Sequence, residues 1–196
     1  MNSGYEQHLK RVELRRNDLE EKLAELFPCE TKLSLEIGCG HGHWLVDYAA
    51  GHPEKSCLGV DLIQDRVSRA GRKRDRAKLG NVQFVKGEAF EVIDLLPAHV
   101  RLSEVFILFP DPWPKKRHWK NRIFRHAFLS ELAKRCDSGV RCHFRTDYEP
   151  YFEWATEVVA EEALWRRDEE IDWPFEKETV FQRRADSFQS MIIVRK

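Results

Sequence analysis

A short apolar run that breaks into three evenly spaced glycines, then resumes as a helical pattern, constrains this chain more than any other feature. Residues 32–37 (KLSLEI) favour a strand, Gly38, Gly40 and Gly42 follow at once, and residues 43–50 (HWLVDYAA) have the spacing of a helix. Glycines at such a junction let the backbone turn sharply and let a ligand approach where a Cβ would repel it. A tight turn with no ligand would use glycine too. The order strand, glycines, helix is what favours a binding loop. The third glycine comes two positions after the second, which is not the dinucleotide fingerprint, so a dinucleotide is not the first ligand expected.

The alternation continues along the chain. Residues 56–60 read as a strand ending at Asp61, residues 63–79 as a helix, and residues 82–86 as a strand with Glu88 just beyond it. A fourth strand, 105–109, leads to Asp111, and Ile123, Phe124, Ala127, Phe128, Leu132 and Cys136 then line one face of a predicted helix. Residues 140–144 form a fifth strand that ends in Arg145, Thr146 and Asp147, followed by a helix over 150–163 and an apolar strand over 191–194. Strands alternating with helices predict a parallel sheet with right-handed crossovers. Ligands gather at the C-terminal edge of such a sheet, where Glu36, Gly38, Asp61, Glu88, Asp111 and Asp147 all fall. Several acids on one edge are hard to explain as stability. Asp61, about twenty residues past the glycines, is placed to accept hydrogen bonds from a ribose. Glu88 reads equally as an acceptor for an adenine amine and as an acid favoured at a helix N-terminus.

Before the first strand, Tyr5, Leu9, Val12, Leu19, Leu23 and Leu26 recur at spacings of three and four, with Arg16 at the one missing position. They predict an amphipathic helix ended by Pro28, which packs on the remainder. The expected organisation is this helix within residues 1–30 and one domain over residues 31–196. A chain of 196 residues with 42% hydrophobic content sustains such a core without metal or disulfide. The five cysteines are scattered and contain no CxxC pair, so no metal site is expected and a reducing compartment is. No membrane span or signal-peptide pattern is visible, and the expected location is the cytoplasm. The 33 basic and 33 acidic residues cancel, so attraction to a polyanion has to come from local segregation. Arg66, Arg69, Arg72, Lys73, Arg74, Arg76 and Lys78 supply it, with Asp75 the one acid among them.

Residues 109–125 (FPDPWPKKRHWKNRIFR) are the most distinctive stretch. Pro110 and Pro112 stiffen the backbone on either side of Asp111, and Pro114 prevents the strand from continuing. An acid on a stiff loop beyond a buried strand suits a ligand better than it suits packing. Lys115, Lys116, Arg117, His118, Lys120, Arg122 and Arg125 then interleave with Trp113 and Trp119, a pattern that fits phosphates and stacked bases.

With residues 35–40 (LEIGCG), Asp61 and Glu88, the first half of the chain resembles the class I S-adenosylmethionine-dependent methyltransferases. Residues 109–122, with Arg145, Thr146, Asp147 and the Thr179-x-Phe181 pair, are similar to the signature of the bacterial tRNA (guanine-N7)-methyltransferase family, over roughly residues 33–195. The resemblance implies an α/β, Rossmann-like class I methyltransferase fold, with a mostly parallel seven-stranded sheet and helices on both faces. It implies S-adenosyl-L-methionine as cofactor. Glu36, Gly38, Cys39 and Gly40 would hold its methionine part, Asp61 the ribose, and Glu88 with Ala89 the adenine edge. Asp111 would be the catalytic residue, with Lys115, Asp147, Thr179 and Arg184 on the substrate. Departures from the family pattern are Asp61 for Glu, Glu88 for Asp, Asn121 for Arg and Gln182 for Glu; the last two change charge. The basic, glycine-containing arm that usually precedes the first helix is also missing.

These residues predict N7 methylation of a guanine in tRNA, with the basic loop and the 66–78 helix on phosphates. Two alternatives stay open: a methyltransferase for a small purine-like or other nitrogen heterocycle, and a non-catalytic RNA-binding protein on a methyltransferase scaffold. Both a monomer and a homodimer are compatible with the sequence.

Overall fold

In a computed structural model, residues 3–170, 172–179 and 182–196 are described. The strands β1 (Thr31–Ile37), β2 (Ser56–Asp61), β3 (Val82–Lys86), β4 (Val100–Leu108) and β5 (Cys136–Thr146) are parallel, and β6 (Trp165–Asp168) and β7 (Gln189–Arg195) join antiparallel at one side. Together they form one seven-stranded sheet in the order β3-β2-β1-β4-β5-β7-β6. The mostly parallel sheet expected from the alternation is present.

Side chains of the central strands alternate between two apolar layers, which is why the runs read as continuously hydrophobic. Leu33, Leu35, Leu58, Val60, Val105, Ile107 and Phe144 enter the larger core. It is closed by α1 (Ser3–Leu26), α4 (Ala89–Leu95), α5 (His126–Lys134) and α6 (Glu149–Ala160). Cys57, Phe84, Phe106 and Leu108 face the other way, under α2 (His43–Gly51) and α3 (Gln64–Ala77). Trp173 and Phe175 from the chain before β7 pack against this second layer. Within it, His143 stacks on Phe106 at 4.7 Å and is fully buried; burial pushes its imidazole down to about 4.

Several sequence expectations are corrected. Along α1, Leu19 and Leu23 are buried, whereas Leu9 is 47% exposed; the side chain of Tyr5, expected in the same stripe, lies outside the described residues. The predicted helix through Ile123 to Cys136 is instead an irregular turn followed by the short α5, because Cys136 already belongs to β5; a 3-10 helix, Lys116–Asn121, precedes the turn. The helical spacing misled there because Phe124, in the turn, is buried in the same core as α5. The strands β4 and β5 begin earlier than their apolar stretches, and α4 and β6 were not anticipated.

The glycine turn is built by backbone hydrogen bonds. The N–H groups of Gly38 and Cys39 both donate to the Val60 carbonyl, at 2.8 and 3.0 Å, tying the end of β1 to the end of β2. Gly38, Gly40 and Gly42 all have φ in the left-handed region. Their surroundings differ. A Cβ on Gly42 would lie 2.6 Å from the Ala70 Cβ and 2.9 Å from Phe84, whereas one on Gly38 or Gly40 would meet nothing within 4 Å. Gly42 is thus a packing glycine, and the other two border open space. Gly42→Ala should lower unfolding free energy by about 3 kcal/mol, combining overpacking with a left-handed backbone. Gly40→Ala should cost only about 1 kcal/mol, from the backbone alone. Urea denaturation of the two variants checks this order.

Candidate active site

The parallel register decides which side chains meet. Ile37 pairs with Val60 on β2 and Ile107 on β4, Asp61 pairs with Lys86 on β3, and Leu108 pairs with Arg145 on β5. The glycine turn, Asp61, Glu88, Asp111 and Asp147 therefore all leave the sheet at one edge, with the glycine turn between Asp61 and the Asp111 loop.

Glu36 lies one residue inside β1, between Gly59 and Phe106 of the neighbouring strands, and is 4% exposed. Its Oε2 is buried and has no hydrogen-bond partner among the described residues. Burial, reinforced by the charge of Asp61, pushes its carboxyl up to about 8. Asp61 is almost as buried, but its oxygens are occupied: Oδ1 accepts from the Ile63 N–H at 2.9 Å, and Oδ2 accepts from the Gly40 N–H at 3.0 Å. Arg66 lies 3.5 Å from Oδ2. Cys39 is buried beside them, and burial raises its thiol far above the ordinary range, so it stays protonated and is no nucleophile.

The other predicted positions divide by environment. Glu88 caps α4, its Oε2 accepting from the Glu91 N–H at 3.1 Å, while Ala89 is buried at the first turn. The capping alternative noted in the sequence is therefore occupied by this side chain, and its second oxygen is not used in that bond. Asp111, Lys115 and Asp147 are exposed, and their side chains make no hydrogen bond or ion pair with any described residue. Thr179 is 8% exposed and acts locally, its Oγ1 accepting from the Gln182 N–H at 2.9 Å to start a 3-10 helix, Gln182–Arg184. Phe181 and the side chain of Arg184 lie outside the described residues.

Two arginines brace the edge. Arg122 is 1% exposed, and its guanidinium packs against the rings of Trp119 at 4.6 Å, Tyr151 at 4.7 Å and Trp154 at 5.2 Å. Its Nε donates to the Pro112 carbonyl at 3.0 Å, one residue past Asp111. The expectation that Arg122 contacts phosphate is overturned, since it is enclosed by aromatic rings. Trp119 belongs to the same box and packs the loop down, whereas Trp113 is half-buried with its ring edge-on to His118. Phe109 and Trp113, on either side of Pro110-Asp111-Pro112, have φ of 52° and 46°. Left-handed backbone at two non-glycine residues costs free energy that the packed box offsets.

Arg145, near the end of β5, ties in the C-terminal segment. It donates from Nε to Ser190 Oγ at 2.8 Å, from Nη1 to Gln182 Oε1 at 3.2 Å, and from Nη2 to Glu176 at 3.3 Å. Trp173 and Phe188 cover its guanidinium, at 3.9 and 4.6 Å. The sequence flagged Arg145 only as part of a motif. Nothing in the sequence separates it from Arg141 on the same strand, which is exposed; the burial of Arg145 emerges only from the structure.

Chemically, this edge suits a ligand with a cationic group, hydroxyls and a flat heterocycle. The orphaned Glu36 oxygen lacks a donor that a cation would supply, and the open space over Gly38 and Gly40 is what a Cβ would fill. The α-ammonium and ribose of S-adenosylmethionine match that donor set.

A family model described as "Putative methyltransferase" matches residues 30–191. The tRNA (guanine-N(7)-)-methyltransferase of Caulobacter vibrioides is 37% identical over 149 residues, covering 76% of this chain and 66% of that protein. Its namesake in Thermus thermophilus is 37% identical over 145 residues, covering 74% and 47%. In Halorhodospira halophila the figures are 39% over 129 residues, covering 66% and 56%. The matched stretch thus spans between about half and two thirds of these relatives. Among solved structures, the aminoglycoside resistance methyltransferase NpmB1 superposes with a TM-score of 0.60 at 16% identity, covering 92% of this chain and 93% of that one. The 16S rRNA (adenine(1408)-N(1))-methyltransferase of Catenulisporales acidiphilia gives 0.59 at 18%, covering 90% and 91%. These two establish the fold alone: it is that of the Rossmann-like class I methyltransferases. The chain belongs to the methyltransferase family whose model it matches, and its curated relatives are tRNA (guanine-N(7)-)-methyltransferases.

Glu36 also sets a pH signature. A carboxyl raised in the folded state binds its proton more tightly there than when unfolded, so stability falls as pH rises from the ordinary 4.5 through about 8. Glu36→Gln should remove a contribution of about 1.4 kcal/mol per pH unit within that window. It should make the ligand-free protein more stable than wild type at pH 8. Denaturant unfolding of both proteins between pH 5 and about 8.5 reads the difference.

Proposed function

We propose that this protein transfers a methyl group from S-adenosylmethionine to N7 of a guanine in tRNA. The observation that carries the reading is Asp111: an exposed acid beyond a buried strand, on a braced and strained loop, beside the glycine turn. The names of the relatives support tRNA over a free heterocycle. When bound, S-adenosylmethionine supplies a methyl group on a sulfonium, open to in-line displacement.

Glu36 and the backbone of Gly38, Cys39 and Gly40 hold the methionine end. Asp61, already fixed by two backbone donors, offers its remaining lone pairs to the ribose hydroxyls. Glu88 and Ala89 border the adenine. Guanine N7 attacks through a lone pair and has no proton to lose, so the protein needs no general base. Positive charge develops on the purine instead, and Asp111 stabilises it from a position fixed before the reaction. Asp147, Lys115, Thr179 and Arg184 orient the nucleotide. The fixed geometry limits the motion needed to align nucleophile, carbon and sulfur. All five cysteines are free thiols, in keeping with a cytoplasmic location.

Two experiments test this. Labelled S-adenosylmethionine and total tRNA from a strain deleted for the protein should yield 7-methylguanosine by nucleoside mass spectrometry. Asp111→Asn should lower kcat by about a hundredfold, within the range for loss of one electrostatic contact, and leave cofactor affinity unchanged. Unaltered turnover in Asp111→Asn removes Asp111 from the mechanism. Arg122→Met keeps apolar volume in the aromatic box but loses the bond to Pro112. It should lower kcat by about tenfold with cofactor affinity intact, since a small misplacement of the acid is felt at the reacting centre. Loss of cofactor affinity in step with kcat would assign Arg122 to general stability instead.

A further inference from the structure

Of the cations on α3, only Arg66, 3.5 Å from Asp61 Oδ2, enters the site described above. Arg69, Arg72, Lys73 and Arg76 fall three and four residues apart, on one face of the helix. Arg69, Arg72 and Arg76 are exposed. Two acids interrupt the series, and each has a partner: Asp65 with Arg69 at 2.9 Å, and Asp75 with Arg74 at 2.7 Å. Neither Arg72 nor Lys73 has an acidic partner among the described residues. Burial together with the charges of Arg76, Arg69 and Arg72 lowers the Lys73 ammonium. His43 is lowered by burial, then by Lys73 and His41, while Asp47 opposes and Arg183 adds to the lowering. Like charges are therefore gathered around Lys73 and His43, beside the glycine turn. Such crowding destabilises the free protein, and a polyanion relieves it.

The position of the face matters as much as its charge. α3 follows β2, on one side of β1, and the exposed cations Lys115, Lys116, Arg117 and Lys120 follow β4, on the other side. The glycine turn lies between the two cationic surfaces. Lys73 joins one of them to the turn directly, its Nζ donating to the His41 carbonyl at 2.8 Å.

We propose that the Arg69, Arg72 and Arg76 face of α3 is a second docking surface for RNA phosphodiesters, so that one RNA is gripped on both sides of the cofactor edge. This rests on the reading of the protein as an RNA methyltransferase and adds where the substrate lies. An RNA held on both flanks presents the segment between them to the edge without a deep enclosing cavity. It also presses on the helix whose Lys73 holds the glycine turn.

The test is the triple variant Arg69→Gln, Arg72→Gln and Arg76→Gln, compared with wild type for binding of an unmodified tRNA transcript across a salt series. Glutamine keeps helix propensity, and an unchanged affinity for S-adenosylmethionine shows that the fold is kept. Affinity for the transcript should fall by about tenfold or more, and the log-log salt dependence should become shallower by about 2, three contacts at ~0.7 each. An unchanged slope overturns the proposal, as does a variant that loses binding to phosphatidylglycerol vesicles but keeps binding to tRNA. Methyl incorporation into tRNA by wild type is scored separately. Methylation with an unchanged slope refutes the α3 surface and leaves the reaction standing. A shallower slope with no methylated RNA does the reverse.

Discussion

At β1 the sheet is extended in both directions: β2 and β3 are laid down on one side, β4 and β5 on the other. Parallel pairing then forces every one of these strands to end on the same edge, and the loops after β1 and β4 must part. The register of Ile37 with both Val60 and Ile107 is therefore the constraint from which the site follows. A one-residue slip would turn Glu36 into the apolar core and an apolar neighbour toward the ligand. Two-sided burial of β1 makes such a slip costly, because Leu33, Leu35 and Ile37 would all leave the larger core.

Polar groups near this edge fall into two kinds, those already held by neighbours and those left without a partner among the described residues. Asp61, Thr179 and Arg145 have their hydrogen-bonding capacity largely engaged by neighbours, which fixes the turn and the C-terminal segment. Among the described residues, Glu36 retains a buried oxygen with no donor, and the exposed Asp111 side chain has no partner. An unpaired buried oxygen and a strained loop both raise the free energy of the ligand-free protein. A sequence selected for stability alone would have removed them with one substitution each. Their coexistence along a single edge is what a binding function explains and packing does not.

Much of this was legible in the chain because parallel strands buried on both faces announce themselves as apolar runs, and glycine announces a turn. Glu36 and Asp61 at the ends of β1 and β2, and Glu88, Asp111 and Asp147 beyond β3, β4 and β5, could be placed on one edge without coordinates. What stayed hidden depends on side chains meeting across the sequence. Arg122 reads as one more cation in a basic stretch, and only the arrival of Tyr151 and Trp154 from α6 turns it into a buried brace. Phe124 and Phe128 share a core and so imitate a helical stripe, although Phe124 precedes the helix. Leu9 matches the spacing of a packing residue, yet no layer of the protein extends far enough to cover it.

The uncharged Gln182, where the resembled family carries glutamate, can be interpreted in the same terms. A buried guanidinium needs a counter-charge or several neutral acceptors. Arg145 has one carboxylate near it, Glu176 at 3.3 Å, and takes neutral acceptors from Gln182 and Ser190. Glu176 is itself largely exposed, so the ion pair is screened and the aromatic cover of Trp173 and Phe188 carries much of the binding of this arginine. A glutamate at 182 would have placed a second carboxylate beside Glu176 around one cation, with mutual repulsion between them. Here the counter-charge is supplied by position 176, and position 182 closes the contact with a neutral hydrogen bond. With Gln182 the C-terminal segment is held against β5 through the neutral acceptors on Arg145 and the single carboxylate of Glu176.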